Sequence, residues 1–156
     1  MRKYLYILLI SMVPIIEIRG AIPVALGMDL PILPAIATCV IGNLLPVPFI
    51  YFFARKFLIW GANGKYIGKV CRFFLEKGEQ AGRRLSQRRG RGGLLIALII
   101  FVGIPLPGTG AWTGTLGASF LNMGFKSTVA SVSLGVVLTG CIMAAVSAAG
   151  LHIFGL

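Results

Sequence analysis

Acid is scarce in this chain: Glu17, Asp29, Glu76 and Glu79 are its only carboxylates, against 15 lysines and arginines in 156 residues. Histidine occurs once, at His152, and the three cysteines, Cys39, Cys71 and Cys141, lie far apart with no histidine beside them. Zinc-ligand spacing and a disulfide framework are therefore both missing. So are a nucleophile–base pair and a phosphate-binding loop, and the expectation is a protein that is not an enzyme and needs no metal or cofactor. Charge as a whole is thin. With 12% charged residues, 57% hydrophobic ones and a mean hydropathy of +0.91, the chain lacks the polar surface to coat a soluble globule. An all-α integral membrane protein is expected, as one membrane domain over residues 1–156.

The positive charge is concentrated. Every basic residue except Arg2, Lys3, Arg19 and Lys126 lies between Arg55 and Arg91. Short loops rich in Lys and Arg stay inside during insertion and are drawn to anionic headgroups, so segment 55–91 reads as cytoplasmic in a multi-pass protein of the cell membrane. Membrane lipids are the expected partners of this segment. Nucleic acid is the rival partner for the Arg88-Arg89-Gly90-Arg91 cluster, and beside a bilayer it is not the expected one. The start, Met-Arg-Lys and then Tyr4 to Ile16, imitates a secretory signal without its small-residue cleavage site and reads as retained.

Along the chain, Tyr4 to Ile16 is too short to cross a hydrocarbon core of roughly 30 Å as a helix. It runs into Glu17 and Arg19, with Pro14, Gly20 and Pro23 arguing against a straight continuation. Pro34 to Phe53 is expected to span, kinked by Gly42, Asn43, Pro46 and Pro48. From Gly61 to Arg91 the apolar residues Tyr66, Ile67, Val70, Phe73 and Phe74 recur at helical spacing, predicting a basic amphipathic connector over about 61–91. Gly78 and Gly82 should weaken it, and Gly90 to Gly93 should terminate it. Leu94 to Phe120 is uncharged but interrupted by Pro105-Leu-Pro-Gly-Thr-Gly110, the strongest turn signal in the chain. Ser127 to about Phe154 is the last expected span, with Ser131, Gly135, Thr139 and Gly140 suited to close packing.

The two interrupted regions look alike. A shift of 90 positions puts Gly20 on Gly110, Ala21 on Ala111, Leu26 on Leu116 and Gly27 on Gly117, with Thr38 then on Thr128 and, after a three-residue gap, Gly42 on Gly135. The expected fold is therefore an inverted repeat of a re-entrant helical hairpin plus a transmembrane helix, with repeat 1 at about 4–58, repeat 2 at about 94–154 and the connector between them. The alternative is a plain four-helix transmembrane bundle whose first and third spans are kinked by proline. Positive-inside counting mildly favours that bundle, because Arg2 and Lys3 would then lie inside.

Glu17-Ile-Arg-Gly-Ala-Ile-Pro23 and Ile104-Pro-Leu-Pro-Gly-Thr-Gly110, in a chain this short, resemble the small multidrug export family of membrane proteins over nearly the whole length. That family is in turn distantly similar to the DedA/VTT membrane proteins, with Glu17 and Pro23 in the first tip and Pro107-Gly108 with Leu116-Gly117 in the second. The DedA resemblance implies paired re-entrant loops and, for several members, movement of polyprenyl phosphate or phospholipid. The chain departs from it at the second tip, where Thr109 stands in place of the usual arginine.

A charge at bilayer depth costs roughly 2.5 kcal/mol or more and marks a site. Arg19 offers a bidentate guanidinium, the half-helix N-termini expected after Gly20 and Gly108 offer amide donors, and Thr109 and Thr113 offer hydroxyls. The expected substrate-binding set is Arg19, Gly20, Pro107, Gly108, Thr109, Gly110 and Thr113. Glu17 is either a proton-coupling carboxylate or the counter-ion of Arg19. Trp112 reads slightly better as an interfacial-belt residue than as a cavity cap, and Asn43 as either a packing or a site-lining amide. Three functions follow: a transporter or flippase for an amphipathic anionic lipid, a proton-coupled exporter of cationic, hydrophobic compounds, and a non-transporting scaffold subunit. The first is the leading expectation, and the small size favours a homodimer.

Overall fold

The computed structural model describes residues 2–63, 68–106 and 108–154, and these form helices joined by turns. In chain order they are α1 (Arg2–Met12), α2 (Glu17–Gly27), α3 (Ile32–Leu44), α4 (Val47–Ala62), α5 (Gly68–Gly103), α6 (Ala111–Phe120) and α7 (Phe125–Phe154). Two stretches are long and apolar enough to cross a membrane, Ile32–Ala62 and Phe125–Gly150. The first of these is interrupted at Leu45 and Pro46, where α3 passes into α4.

Proline explains where the first helix stops and not where the second begins. α1 ends at Met12, two residues before Pro14, and a turn closes through Ile16 N–H and Glu17 N–H donating to Val13 O at 3.2 and 2.9 Å. Glu17 then opens α2 with φ of 49°, a left-handed conformation that costs a side-chain-bearing residue about 1 kcal/mol. Gly20 and Pro23, expected to oppose a helix, lie inside α2. Pro23 sits past the first turn, so its missing N–H costs one bond that the buried face of Ile18, Ala21, Ile22 and Ala25 offsets.

The same order of short helix, turn, short helix and long helix occurs twice. α2 ends in left-handed Asp29 with Leu30 N–H donating to Ala25 O, and α6 ends in left-handed Asn122 with Met123 N–H donating to Ala118 O. Both are the helix ending in which the amide two residues past the cap bonds back across the last turn. α3 starts at Ile32 and α7 at Phe125, and Glu17 and Gly110, both with positive φ, stand at the starts of α2 and α6. Each of these pairs is 93 positions apart, as are Gly42 and Gly135, which the sequence alignment already matched beyond its three-residue gap. The 90-position register is thus corrected: Gly20 lies within α2, whereas Gly110 precedes α6. Identities among small residues drew the alignment off by three.

Packing holds the halves together. α1 packs on α2 and α3, α5 on α6 and α7, and the halves join through α2 and α3 against α7 and through α4 against α5 and α6. Gly42 lies against Leu8 O and Ser11 Oγ of α1, and Gly140 of α7 lies against Ile18, Ile36 and Val40. Val102, 1% exposed, is seated between Gly114 of α6 and Gly135 of α7, and Thr139 donates to its carbonyl at 2.7 Å. Buried hydroxyls are matched to backbone: Ser119 donates to Tyr51 O and the Tyr51 hydroxyl to Met123 O.

The connector ends where expected, at Gly90, and departs from expectation in its middle. α5 runs unbroken through Gly78 and Gly82 and bends at Gly90, where φ is 67° and ψ is 173°. That backbone region is almost restricted to glycine. Beyond the bend, Gly92–Gly103 is the short apolar helix of the second hairpin. Tyr66 and Ile67 of the expected amphipathic face lie outside the described residues.

Candidate functional site

The two hairpin tips meet. From the first, Glu17 stands at the start of α2, 4% exposed, and Arg19 follows on its first turn. From the second comes the loop after Gly103, in which Leu106 N–H donates to Ile104 O at 2.8 Å and Thr109 N–H to Leu106 O at 3.1 Å. Arg19 and Glu17 form an ion pair with Nη1 and Oε2 3.8 Å apart. The other terminal nitrogen of Arg19 crosses to the second tip, donating to Thr109 Oγ1 at 2.6 Å and Ile104 O at 3.3 Å. Arg19 Nε is buried without a partner among the described residues.

Glu17 crosses as well. Its Oε1 accepts the Trp112 amide at 3.3 Å, in the first turn of α6, where the unpaired amides and the positive end of the helix dipole favour an anion. Gly110 makes this approach possible. A Cβ there would overlap the Glu17 carboxylate, and φ of 150° with ψ of −172° is a conformation other residues avoid. In return, Trp112 Nε1 donates to Met12 O at 3.1 Å, the carbonyl at the end of α1. An acid and a guanidinium from one tip are thus met by an amide, a hydroxyl and a carbonyl from the other.

Of the expected set, Glu17, Arg19, Thr109 and Gly110 come together. Gly108, with φ of 83°, lies on the same loop and has open space around it. Pro107 lies outside the described residues. Two members are placed differently. Gly20 is not at a helix N-terminus but within α2, its free side covered by Ile16, because α2 starts at Glu17. The second half-helix begins at Ala111 and not directly after Gly108, and Thr113 Oγ1 turns back toward Gly110 O at 3.5 Å. Trp112 has a further role, since its half-buried indole links the tips. Its partner, the Met12 carbonyl, carries no sequence signal.

A family profile described as "Putative small multi-drug export protein" matches residues 17–142, a stretch that begins at Glu17 and takes in both tips. The chain belongs to the small multi-drug export family. No curated protein and no solved structure matched the chain. Membership of this family and the two apolar stretches agree on a membrane location.

Proposed function

We propose that this member of the small multi-drug export family moves small hydrophobic compounds out across the membrane in exchange for protons, with Glu17 as the coupling carboxylate. The observation that carries the reading is the double role of that carboxylate, which pairs with Arg19 on its own tip and accepts the Trp112 amide on the other. Protonation removes the charge that holds both partners. Arg19 and α6 are then less tightly tied to Glu17, the tips part, and an apolar cargo can pass between them. Loss of the proton on the far side restores the latch.

Element lengths support a re-entrant arrangement. Eleven-residue α1 and α2 each reach only about 16 Å, half the hydrocarbon core, and ten-residue α6 reaches less. Helices of that length enter and return, and backbone at membrane depth is tolerated where protein covers it. The pairs of landmarks 93 positions apart support a repeat, and Glu17 meeting Gly110, its counterpart, is the contact expected where a twofold axis passes between inverted halves. In this reading the basic segment 55–91 is cytoplasmic, the protein is multi-pass in the cell membrane, and a second copy completes the walls of the path.

Anionic-lipid translocation, with a polyprenyl phosphate or phospholipid headgroup at Arg19, has less support. The terminal nitrogens of Arg19 are already committed to Glu17, Thr109 and Ile104.

The test is efflux of a fluorescent hydrophobic cation from liposomes holding the purified chain under an imposed pH gradient. Wild type should respond to the gradient, Lys126→Ala should match it, and Glu17→Gln should lose at least ten-fold of the gradient-driven rate. Unchanged gradient-driven efflux in Glu17→Gln overturns the coupling role.

A further inference from the structure

Asn43, in the last turn of α3, is 1% exposed, and neither its Oδ1 nor its Nδ2 has a hydrogen-bond partner among the described residues. An amide buried dry and unpaired costs about 2 kcal/mol or more. The backbone beside it is also short of partners. Pro46 and Pro48 carry no N–H, so the carbonyls of Gly42 and Leu44 lose the helical donors four residues ahead. Gly42 in turn lies against Ser11 Oγ and Leu8 O, which places a buried hydroxyl of α1 alongside. The other half of the molecule packs without a buried amide or a proline break there. At the matching place 93 positions on, α7 has Val136, 1% exposed, in an unbroken helix. An apolar residue therefore satisfies that packing role, and the amide answers to something else.

We infer that the proline-broken midpoint of the Ile32–Ala62 stretch binds a neutral hydroxyl-type group, held by the side-chain amide of Asn43. The chemistry selects this class. Asn43 lacks both a donor for its oxygen and an acceptor for its N–H, and water or an alcohol supplies both at once. A metal cation would meet the oxygens and leave the amide N–H unpaired, and an anion would do the reverse. Glu17, the buried carboxylate of the first hairpin, is already matched by Arg19. The group is either a resident water or the hydroxyl of a cargo molecule. The second source rests on the export reading, and the first does not.

The chain has three asparagines, Asn43, Asn63 and Asn122. In the full-length protein labelled with nitrogen-15 asparagine in neutral-lipid nanodiscs, Asn63→Gln and Asn122→Gln assign the remaining side-chain amide to Asn43 without altering it. A magnetisation-transfer cross-peak from the Asn43 amide to water is expected. Decan-1-ol is then added. Persistence of the water contact identifies a resident water, and its replacement by a contact to the alcohol identifies a cargo hydroxyl, both in support. An Asn43 amide in contact with neither, or one that shifts with sodium and lacks a water contact, overturns the proposal. Gradient-driven efflux through Glu17 can survive that outcome, so the two readings fail separately.

Discussion

The two halves of this protein share a layout and divide the labour. The first half presents side-chain charge at its tip, Glu17 and Arg19, and carries its long apolar stretch broken at Leu45 and Pro46. The second presents backbone and hydroxyl groups on a glycine-bearing loop and carries α7 unbroken. The difference teaches how a charged tip is accommodated. A buried acid needs donors close by, and a helix start reached past a glycine supplies them without bringing a second charge.

The sharpest way to break this division is at Gly110. Alanine there meets both the Glu17 carboxylate and a forbidden backbone conformation, and a loss of about 3 kcal/mol of stability is expected. Thermal unfolding in detergent measures it, and a midpoint like that of wild type would mean the tips do not meet at this residue. Thr109→Val should come next. It strips Arg19 of its hydroxyl partner on the second tip, at about 2 kcal/mol less some relief from water, since the guanidinium is 18% exposed. Adding Arg19→Ala in a double-mutant cycle should then cost less than the sum of the two, and strict additivity would show the pair uncoupled.

Trp112→Phe keeps the ring and removes only the indole donor, leaving Met12 O without it, for about 1.5 kcal/mol. Faster hydrogen exchange at the end of α1 is the accompanying sign. The smallest effect belongs to Gly108→Ala. Nothing lies within 4 Å of the added methyl, so only the positive φ opposes it, for about 1 kcal/mol. A loss as large as at Gly110 would contradict the open space around this loop.

Much of the fold was legible because proline and glycine act locally. Pro14 and the Pro105 to Gly110 run marked the turns between short helices, and Pro46 marked the break in the long stretch, since each removes an amide donor wherever it stands. Glu17 and Arg19 were legible as a site because their charge is costly in apolar surroundings. What stayed hidden was tertiary. No local signal says that a glutamate will open a helix in a left-handed conformation, that Trp112 will bind Met12, or that α5 will run straight through Gly78 and Gly82. The 93-position spacing of matching landmarks was masked for a similar reason. It is carried by helix ends, Asp29 with Asn122 and Ile32 with Phe125, where the paired residues differ in type.

Val102, wedged against Gly114 and Gly135 with its carbonyl holding Thr139, keys three helices into one rigid block. A Cβ at either glycine would overlap Val102, so the spacing of these three helices is gauged by that one side chain.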